Sequence, residues 1–308
     1  MVAHGRQHYV QQSYFRRFSP DGKQIFVYDK VLGRSFSDGI RNIAQETKFY
    51  RVPEGLTDEA GNQAKIDPLF IEKWFQKIEG EFERDLRTLS ELPINLKIPA
   101  ETRESLSTFL AIQYIRTRAF RNLIKDVTEQ FYLEISKRLI RENFGEEALK
   151  YTPHITYKDE AAGLFQAQQV LDDDKLGEFA AILDGHIWTV LANDTGTPLY
   201  TSDAPVVLHR HLPGRGVGLA SPGVEIAFPV SSTKILSLCE RSAFSSLKSK
   251  DGSVQSLQSG NVEFYNSLQV IQSERQIYCE REEFALAVDI VRENPKLSER
   301  NRSRVQLD

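Results

Sequence analysis

The sequence predicts an α+β fold in which central amphipathic helices pack on antiparallel strands contributed by both ends of the chain. Two observations carry this prediction. Apolar residues recur at helical spacing through the middle of the chain, whereas alternating or β-branched segments separated by turn residues occupy both ends. With 308 residues, 40% of them apolar, the chain can bury a large core. We therefore interpret 1–308 as a single large domain.

Four regions follow one another within this domain. Residues 1–60 combine a docked aromatic leader, residues 6–19, with a β-ribbon, because two short strand-like segments separated by glycine follow that leader. Residues 67–186 form the helical middle and 187–290 are mainly β. The polar region 291–308 is expected to be a loose tail.

Two long helices dominate the helical middle. The first begins at Asp67-Pro68, because aspartate is a preferred N-cap and proline a preferred first helical residue. The second runs from Pro99 to Phe144, since its apolar residues recur at spacings of three and four or their sums. The core-facing stripe of this second helix comprises Leu106, Phe109, Leu110, Phe120, Leu123, Val127 and Phe131.

Two polar residues interrupt that apolar stripe. Gln113 lies four residues after Phe109 and Arg116 lies seven residues after it, so an amide and a guanidinium face the interior. A buried arginine needs an acid or a ligand anion as its partner. Glu79, on the preceding helix, is the expected protein partner. The sequence therefore predicts an internal polar site, with ligand binding and a structural ion pair as the two open roles of Arg116.

A run of basic residues follows Arg116 on the same helix. Arg118, Arg121 and Lys125 are interpreted as the solvated face of the helix, which is the usual place for such a run. The alternative is that they combine with the leader arginines to focus positive charge on a nucleotide or phosphodiester.

Composition excludes several classes of protein. A net charge of −4 and a pI near 6.0 argue against a general basic surface for nucleic acid, although they allow a local basic pocket. Cys239 and Cys279 are too few for a disulfide framework or a cysteine zinc site. The N-terminus lacks an apolar signal segment and no window is apolar enough to span a membrane. We expect a cytoplasmic protein with no membrane partner, and its oligomeric state is left open.

His8, Glu79 and Asp203 are the candidate catalytic residues. A docked His8 imidazole can serve as a base, a metal ligand or a structural hydrogen-bonding group. Asp203 lies at a strand end before Pro205, where a carboxylate suits a binding rim or caps backbone amides. The candidate substrate-binding residues are Gln12, Arg16, Asn42, Gln113, Arg116, Thr201 and Ser202.

Ordered motifs give the chain a resemblance to a known family. The leader carries His8-Tyr9-Val10, Gln12, Tyr14, Arg16 or Arg17, and Phe18, with Gln11 where a proline is usual. The later motifs are Asn42, Glu46, Phe49-Tyr50, Glu72, Ile78-Glu79, Gln113, Arg116-Thr117, Thr201-Ser202-Asp203, Pro205 and Asn266. In this order they resemble the family known as domain of unknown function 4238. The resemblance implies a shared site and supplies no reaction.

These residues support two hypotheses of function, and the sequence leaves open whether the chain is an enzyme. The first is a hydrolase of a phosphate-containing substrate, a nucleotide or nucleic acid, with Arg116 clamping the anion and His8 as base or ligand. A mixed set of His8, Glu46, Glu79 and Asp203 would suit Mg²⁺ or Mn²⁺, although no fixed ligand spacing supports a metal. The second is a non-catalytic ligand-sensing or protein-binding module in which the same residues form a structural polar network.

Overall fold

The computed structural model describes residues 6–47, 49–50, 70–214, 216–300 and 302–304. The predicted helix start at Asp67-Pro68 lies outside these described residues. Within them, the predicted α+β class is confirmed, because helices fill the middle of the chain and mostly antiparallel sheets contain strands from both ends.

The helices lie mainly between residues 70 and 184. Their bounds are α1 Gln12–Phe15, α2 Phe70–Glu91, α3 Ala100–Ile115, α4 Arg118–Phe144, α5 Asp159–Leu171, α6 Asp173–Asp184, α7 Ser259–Gln272 and α8 Ala285–Glu293. Throughout the described ranges, each helix is too short or too polar to cross a lipid bilayer.

The strands form three sheets. Their bounds are β1 Arg6–His8, β2 Gln24–Asp29, β3 Arg34–Gly39, β4 Gln45–Thr47, β5 Ile187–Ala192, β6 Thr201–Ser202, β7 Val207–Arg210, β8 Val224–Ser231, β9 Lys234–Cys239, β10 Ser253–Ser256 and β11 Gln276–Cys279. The strand orders are β1-β4, β10-β5-β9-β8-β7 and β3-β2-β11-β6, and only β10–β5 is parallel among these described pairs. Because β11 lies between β2 and β6, both ends of the chain share one sheet.

The amphipathic character of α2 explains how it packs. Ile71, Phe75, Phe82 and Leu89 recur at helical spacing and all are buried, while Ile78 packs partly buried against the same core. This face contacts α3 and the leader, whose side chains Val10, Tyr14, Phe15 and Phe18 are fully buried. The leader is therefore held between α2 and the sheets, and the polar residues at its start lie beside the polar edge of α2.

The predicted single helix from Pro99 to Phe144 is wrong, because it breaks at Arg116-Thr117. Thr117 leaves the helical conformation and its hydroxyl accepts a hydrogen bond from the Phe120 amide at 3.2 Å, so Thr117 is the N-cap of α4. The apolar stripe consequently leaves the core beyond the break. Val127 is 50% exposed and Phe131 is 60% exposed, whereas Leu106, Phe109 and Leu110 are buried.

The break also changes the place of the basic run. Arg121 is 3% exposed and not solvated as predicted, because the start of α4 turns it toward α5. Its Nε donates to Gln166 Oε1 at 2.9 Å and its Nη2 donates to the Phe49 carbonyl at 2.6 Å. Arg118 binds the carboxylates of Glu46 and Asp159. These two arginines are therefore committed to protein partners.

Part of the region 291–308, predicted to be loose, is held against the body of the protein. Arg302 donates to the Ser273 carbonyl at 2.6 Å. Arg304 donates to Glu274 Oε2 at 2.5 Å and to the Gln272 carbonyl at 3.0 Å. These contacts fix the described residues 302–304 beside the end of α7, because each guanidinium finds carbonyl or carboxylate acceptors there.

Candidate functional site

A small polar cleft of about 190 Å³ lies between the leader and α2. It contains four residues that the sequence predicts as site residues: His8, Gln12, Glu79 and Arg116. The other lining residues are Arg6, Gln7, Gln11, Tyr50, Glu72, Phe75 and Gln76. The cleft is therefore formed where the start of the leader, α2 and the break between α3 and α4 meet.

The leader is positioned by a short sheet and by the amide of Gln7. Strand β1 pairs with β4, which sets Gln7 opposite Glu46 and turns its side chain inward. Gln7 Oε1 accepts a hydrogen bond from the Tyr50 amide at 2.7 Å, and its Nε2 donates to Glu72 at 3.4 Å. Both ends of this buried amide are therefore paired, as buried polar groups usually are.

Arg116 ends α3 at the back of the cleft and forms the predicted pair with Glu79. Its Nη1 donates to Glu79 Oε1 at 3.1 Å, and its Nη2 donates to the His8 carbonyl at 2.8 Å. The guanidinium carbon also lies 3.9 Å from the centroid of the Phe75 ring. The Arg116 side chain is 3% exposed, while that of Glu79 is 28% exposed. Arg116 thus joins three elements: the leader, α2 and α3.

Three buried polar atoms at the cleft have no hydrogen-bond partner among the described residues. They are Nε2 and Oε1 of Gln11 and Nε of Arg116. Gln11 is 1% exposed and precedes α1 directly, so its amide cannot turn out to bulk water without moving the leader. Leaving a buried polar group unpaired costs about 1–3 kcal/mol. The cleft therefore carries donors and an acceptor whose partners the described part of the chain does not supply.

His8 is held as a neutral imidazole at the side of the cleft. Its Nε2 lies 3.3 Å from the Arg41 carbonyl, which requires the proton on that nitrogen, and its Nδ1 lies 3.5 Å from Nε2 of Gln12. Burial lowers the pKa of His8 below 6.5, and the positive charge of Arg116 lowers it further. The hydrogen bond to the Arg41 carbonyl acts in the opposite direction. The Nδ1 lone pair is therefore the basic atom that His8 offers near neutral pH.

Asp203, Thr201 and Ser202 lie outside the residues that line the cleft. Asp203 accepts backbone hydrogen bonds from Glu274, Arg275 and Gln276, at 2.7, 2.7 and 2.8 Å. Burial raises the pKa of the Asp203 carboxyl, and these backbone amides act against that shift. Such a carboxylate secures the loop before β11, which is the backbone-capping alternative considered from the sequence.

The hydroxyl residues of β6 are also engaged within the core. Thr201 Oγ1 lies 2.6 Å from the Tyr14 hydroxyl, and Ser202 Oγ donates to Gln269 Oε1 at 2.7 Å. Both residues are fully buried. Their hydrogen bonds connect β6 to the leader and to α7, so the structure does not bring them to the polar cleft.

The remaining predicted site residues also lie away from the cleft. Arg16 is exposed on the leader. Asn42 donates to Asp38 Oδ1 at 2.8 Å at the protein surface. Gln113 donates to the Tyr9 carbonyl at 3.1 Å and lines a separate cavity, described below.

The proposed metal ligands do not converge. Nowhere in the described part of the chain do three or more His, Cys, Asp or Glu side chains come together in a group that could hold a metal ion. The set of His8, Glu46, Glu79 and Asp203 fails because Glu46 binds Arg118, Glu79 binds Arg116 and Asp203 binds backbone amides. A Mg²⁺ or Mn²⁺ site assembled from these four residues is therefore not formed.

Sequence reasoning missed the importance of Gln11 and Gln7. In the sequence, Gln11 stands out only because the family that the chain resembles usually has proline at this position. That difference does not indicate that the Gln11 amide is buried without a partner among the described residues. Gln7 carries no periodic signal either, since β1 is only three residues long. The density of amides in the leader, Gln7, Gln11 and Gln12, is the one signal that could have indicated a hydrogen-bonding site.

Comparison with known proteins gives a family and no named relative. A family model described as "Protein of unknown function (DUF4238)" matches residues 6–283, which include every strand described above, from β1 to β11. No curated protein and no solved structure matches the chain. Because the match extends over most of its length, the chain belongs to the DUF4238 family of proteins of unknown function.

Proposed function

We propose that this chain is a ligand-binding protein whose polar cleft takes a small polar molecule without net charge. The observation that carries the proposal is the amide of Gln11, which is buried at the cleft with both its donor and its acceptor unpaired among the described residues. A ligand that presents an acceptor beside a donor would satisfy both atoms. Amides, sugar hydroxyls and nucleobase edges have this pattern.

The charges around the cleft favour a ligand without net charge. Two arginines, Arg6 and Arg116, line it together with two glutamates, Glu72 and Glu79, and the lowered pKa of His8 keeps that imidazole neutral. Arg116 already has a carboxylate partner in Glu79. A phosphate would therefore meet carboxylate repulsion as well as guanidinium attraction, and it would have to displace Glu79 to be bound bidentately.

The size of the cleft limits the ligand. A volume of about 190 Å³ is below the 300–1,000 Å³ typical of drug-sized ligand sites. The cleft therefore suits a single ring or a short polar fragment. The Nε of Arg116, which has no partner among the described residues, adds a third anchoring point at the wall that Phe75 also lines.

Thermal denaturation with a ligand panel tests this proposal. The panel contains glucose, adenine, acetamide and inorganic phosphate, and the proteins are the wild type, Gln11→Leu and the control Gln24→Leu, which changes an exposed glutamine on β2. A ligand that binds only the folded state stabilises it by about 2.7 kcal/mol at a hundredfold excess over Kd. We expect a neutral compound to raise the melting temperature of the wild type and of Gln24→Leu but not that of Gln11→Leu. Equal shifts in all three proteins would contradict the proposal.

A hydrolase is the second candidate, favoured by the geometry of His8. A neutral imidazole in a residue that lines the cleft, with Nδ1 next to the Gln12 amide, can take a proton from an attacking water and return it to a leaving group once Gln12 gives way. The substrate would be an uncharged ester or amide held by Gln11, since a phosphate ester could be held by Arg116 only if it displaced Glu79. We expect His8→Gln to abolish turnover while leaving the ligand-induced rise in melting temperature intact. Loss of both in His8→Gln would favour a binding role for His8.

A further inference from the structure

A second and larger cavity, of about 900 Å³, lies between the start of α4, the loop after β7 and the end of α7. Its volume falls within the range of 300–1,000 Å³ that small-molecule sites occupy. Most of its walls are apolar side chains, including Phe120, Leu123, Leu208 and Leu268. This apolar cavity is distinct from the polar cleft, since none of the described residues lines both.

The mouth of the apolar cavity is lined by apolar side chains that remain accessible to solvent. Val127 is 50% exposed, Ile271 is 45% exposed, and Leu212 and Val217 are 45% and 43% exposed. These residues come from α4, α7 and the loop after β7. Each residue alone would be unremarkable on a protein surface, but here they meet around one opening that leads to a buried apolar wall.

One residue that lines this cavity has a buried polar atom with no partner among the described residues. Gln113 is 1% exposed and lines the cavity, and its Nε2 donates to the Tyr9 carbonyl. Its Oε1 accepts no hydrogen bond from any of the described residues. Because the other end of the amide is anchored, Oε1 is a fixed acceptor beside walls that are mostly apolar. A ligand with one hydroxyl or N–H group would pair it.

The positively charged side chains that line the cavity disfavour a cationic ligand. Among the described residues, no aspartate or glutamate lines this cavity, whereas Arg210 and Arg304 do. Arg304 is bound to Glu274 outside the cavity and Arg210 donates to the Gly216 carbonyl. A cationic amphiphile would therefore meet like charge and no counter-ion, while a neutral molecule would meet no penalty.

We infer that the apolar cavity is a binding site for a neutral amphiphile, a molecule with an apolar body and a single hydroxyl or N–H group that donates to Gln113 Oε1. The apolar body fills the space between Phe120, Leu123 and Leu268, which removes apolar surface from water on both sides. This inference does not depend on the function proposed for the polar cleft.

Fluorescence titration with N-phenyl-1-naphthylamine, a neutral apolar amine with one N–H group, tests the inference. Val127→Arg places a charge at the mouth, and Ile271→Trp fills it. Leu139→Arg is the matched control, because Leu139 is 53% exposed on the same helix and does not line the cavity. We expect wild type and Leu139→Arg to bind the probe alike, and Val127→Arg and Ile271→Trp to bind it roughly tenfold more weakly, which corresponds to about 1.4 kcal/mol. Equal binding by all four proteins would overturn the inference.

A competition experiment tests the hydrogen bond to Gln113. Octan-1-ol and its methyl ether have the same apolar chain, but only the alcohol can donate to Oε1. We expect the alcohol to displace the probe from the wild type roughly fivefold more effectively than the ether, and this preference to disappear in Gln113→Met. Equal displacement by the two compounds from the wild type would overturn the role of Gln113.

A different outcome would overturn the whole inference. If the wild type formed a dimer that Val127→Arg dissociates, and bound no probe, a second copy of the chain would cover this face.

Discussion

Removing the Arg116 guanidinium tests how the cleft is held together. In Arg116→Met the apolar contact with Phe75 is largely kept, but the bonds to Glu79 at 3.1 Å and to the His8 carbonyl at 2.8 Å are lost. Breaking a buried ion pair by removing one partner costs about 3–5 kcal/mol. Because the Glu79 side chain is 28% exposed, water can solvate its freed carboxylate. We therefore expect the free energy of unfolding to fall by about 3 kcal/mol, the lower end of this range.

Urea denaturation of a small set of variants measures this loss. The matched control is Arg138→Met, because Arg138 also pairs with a glutamate, Glu142 at 2.8 Å, but its side chain is 79% exposed. An exposed pair within one helix contributes little, so the control should unfold at the urea concentration of the wild type. Arg116→Lys keeps the positive charge but loses the planar guanidinium that donates to two acceptors. Its free energy of unfolding should lie between those of the wild type and Arg116→Met.

The double variant Arg116→Met/Glu79→Leu separates the ion pair from other effects of the substitution. Without Arg116, the carboxylate of Glu79 faces the cleft uncompensated, so its removal should recover part of the lost stability. We expect a coupling energy of about 1–2 kcal/mol between the two positions. The reasoning would be refuted if the free energy of unfolding of Arg116→Met lay within about 0.5 kcal/mol of the wild-type value. Ordinary surface substitutions change stability by no more than this amount.

Three further predictions concern Asp203, His8 and Thr117. Asp203→Asn turns an amide group toward backbone N–H donors, and we expect a loss of about 2–4 kcal/mol by urea denaturation, whereas an unchanged midpoint would contradict the capping role. The pKa of His8 is lowered in the folded state, so the unfolded state binds its proton first and the free energy of unfolding falls as pH decreases below 6.5. The variant His8→Gln should therefore show a shallower decline between pH 7.5 and 5.5 than wild type, with a residual slope from His186, His209 and Lys30, whose pKa values burial also lowers. Thr117→Ala removes the N-cap of α4 and should cost about 1 kcal/mol, whereas Thr117→Ser should cost much less.

The fold class and the Arg116–Glu79 pair could be predicted from the sequence for the same reason. Both depend on periodicity: apolar spacing places the faces of α2 and α3 toward the core, and a charged residue on such a face must find a partner. The register that places Gln113 and Arg116 inside extends only from Leu106 to the C-cap of α3, which is Arg116. Within those turns the helical period is continuous, and both side chains are buried.

The helix break and the unpaired amides could not be predicted in this way. Thr117 is an N-cap in the structure, but the apolar pattern continues across it and no glycine or proline marks the interruption. The partners of a buried side chain depend on contacts between distant segments, as with Asp203 and the loop before β11, so spacing along the chain does not reveal them. For the same reason the hydroxyls at 201 and 202 looked like a binding rim and instead connect β6 to the core.

The free energy of unfolding of Gln11→Leu, measured without ligand and beside Gln7→Leu, tests the central claim most directly. Gln11 and Gln7 are 1% and 2% exposed, belong to the same leader and line the same cleft. Among the described residues, Gln7 has partners at both ends of its amide and Gln11 has none. If the cleft is built for a ligand, Gln11→Leu removes an unpaired buried amide and stabilises the protein by about 1–3 kcal/mol, while Gln7→Leu destabilises it by a similar amount. Destabilisation by both substitutions would show that the amide of Gln11 supports the fold. It would contradict the claim that the cleft is a ligand-binding site.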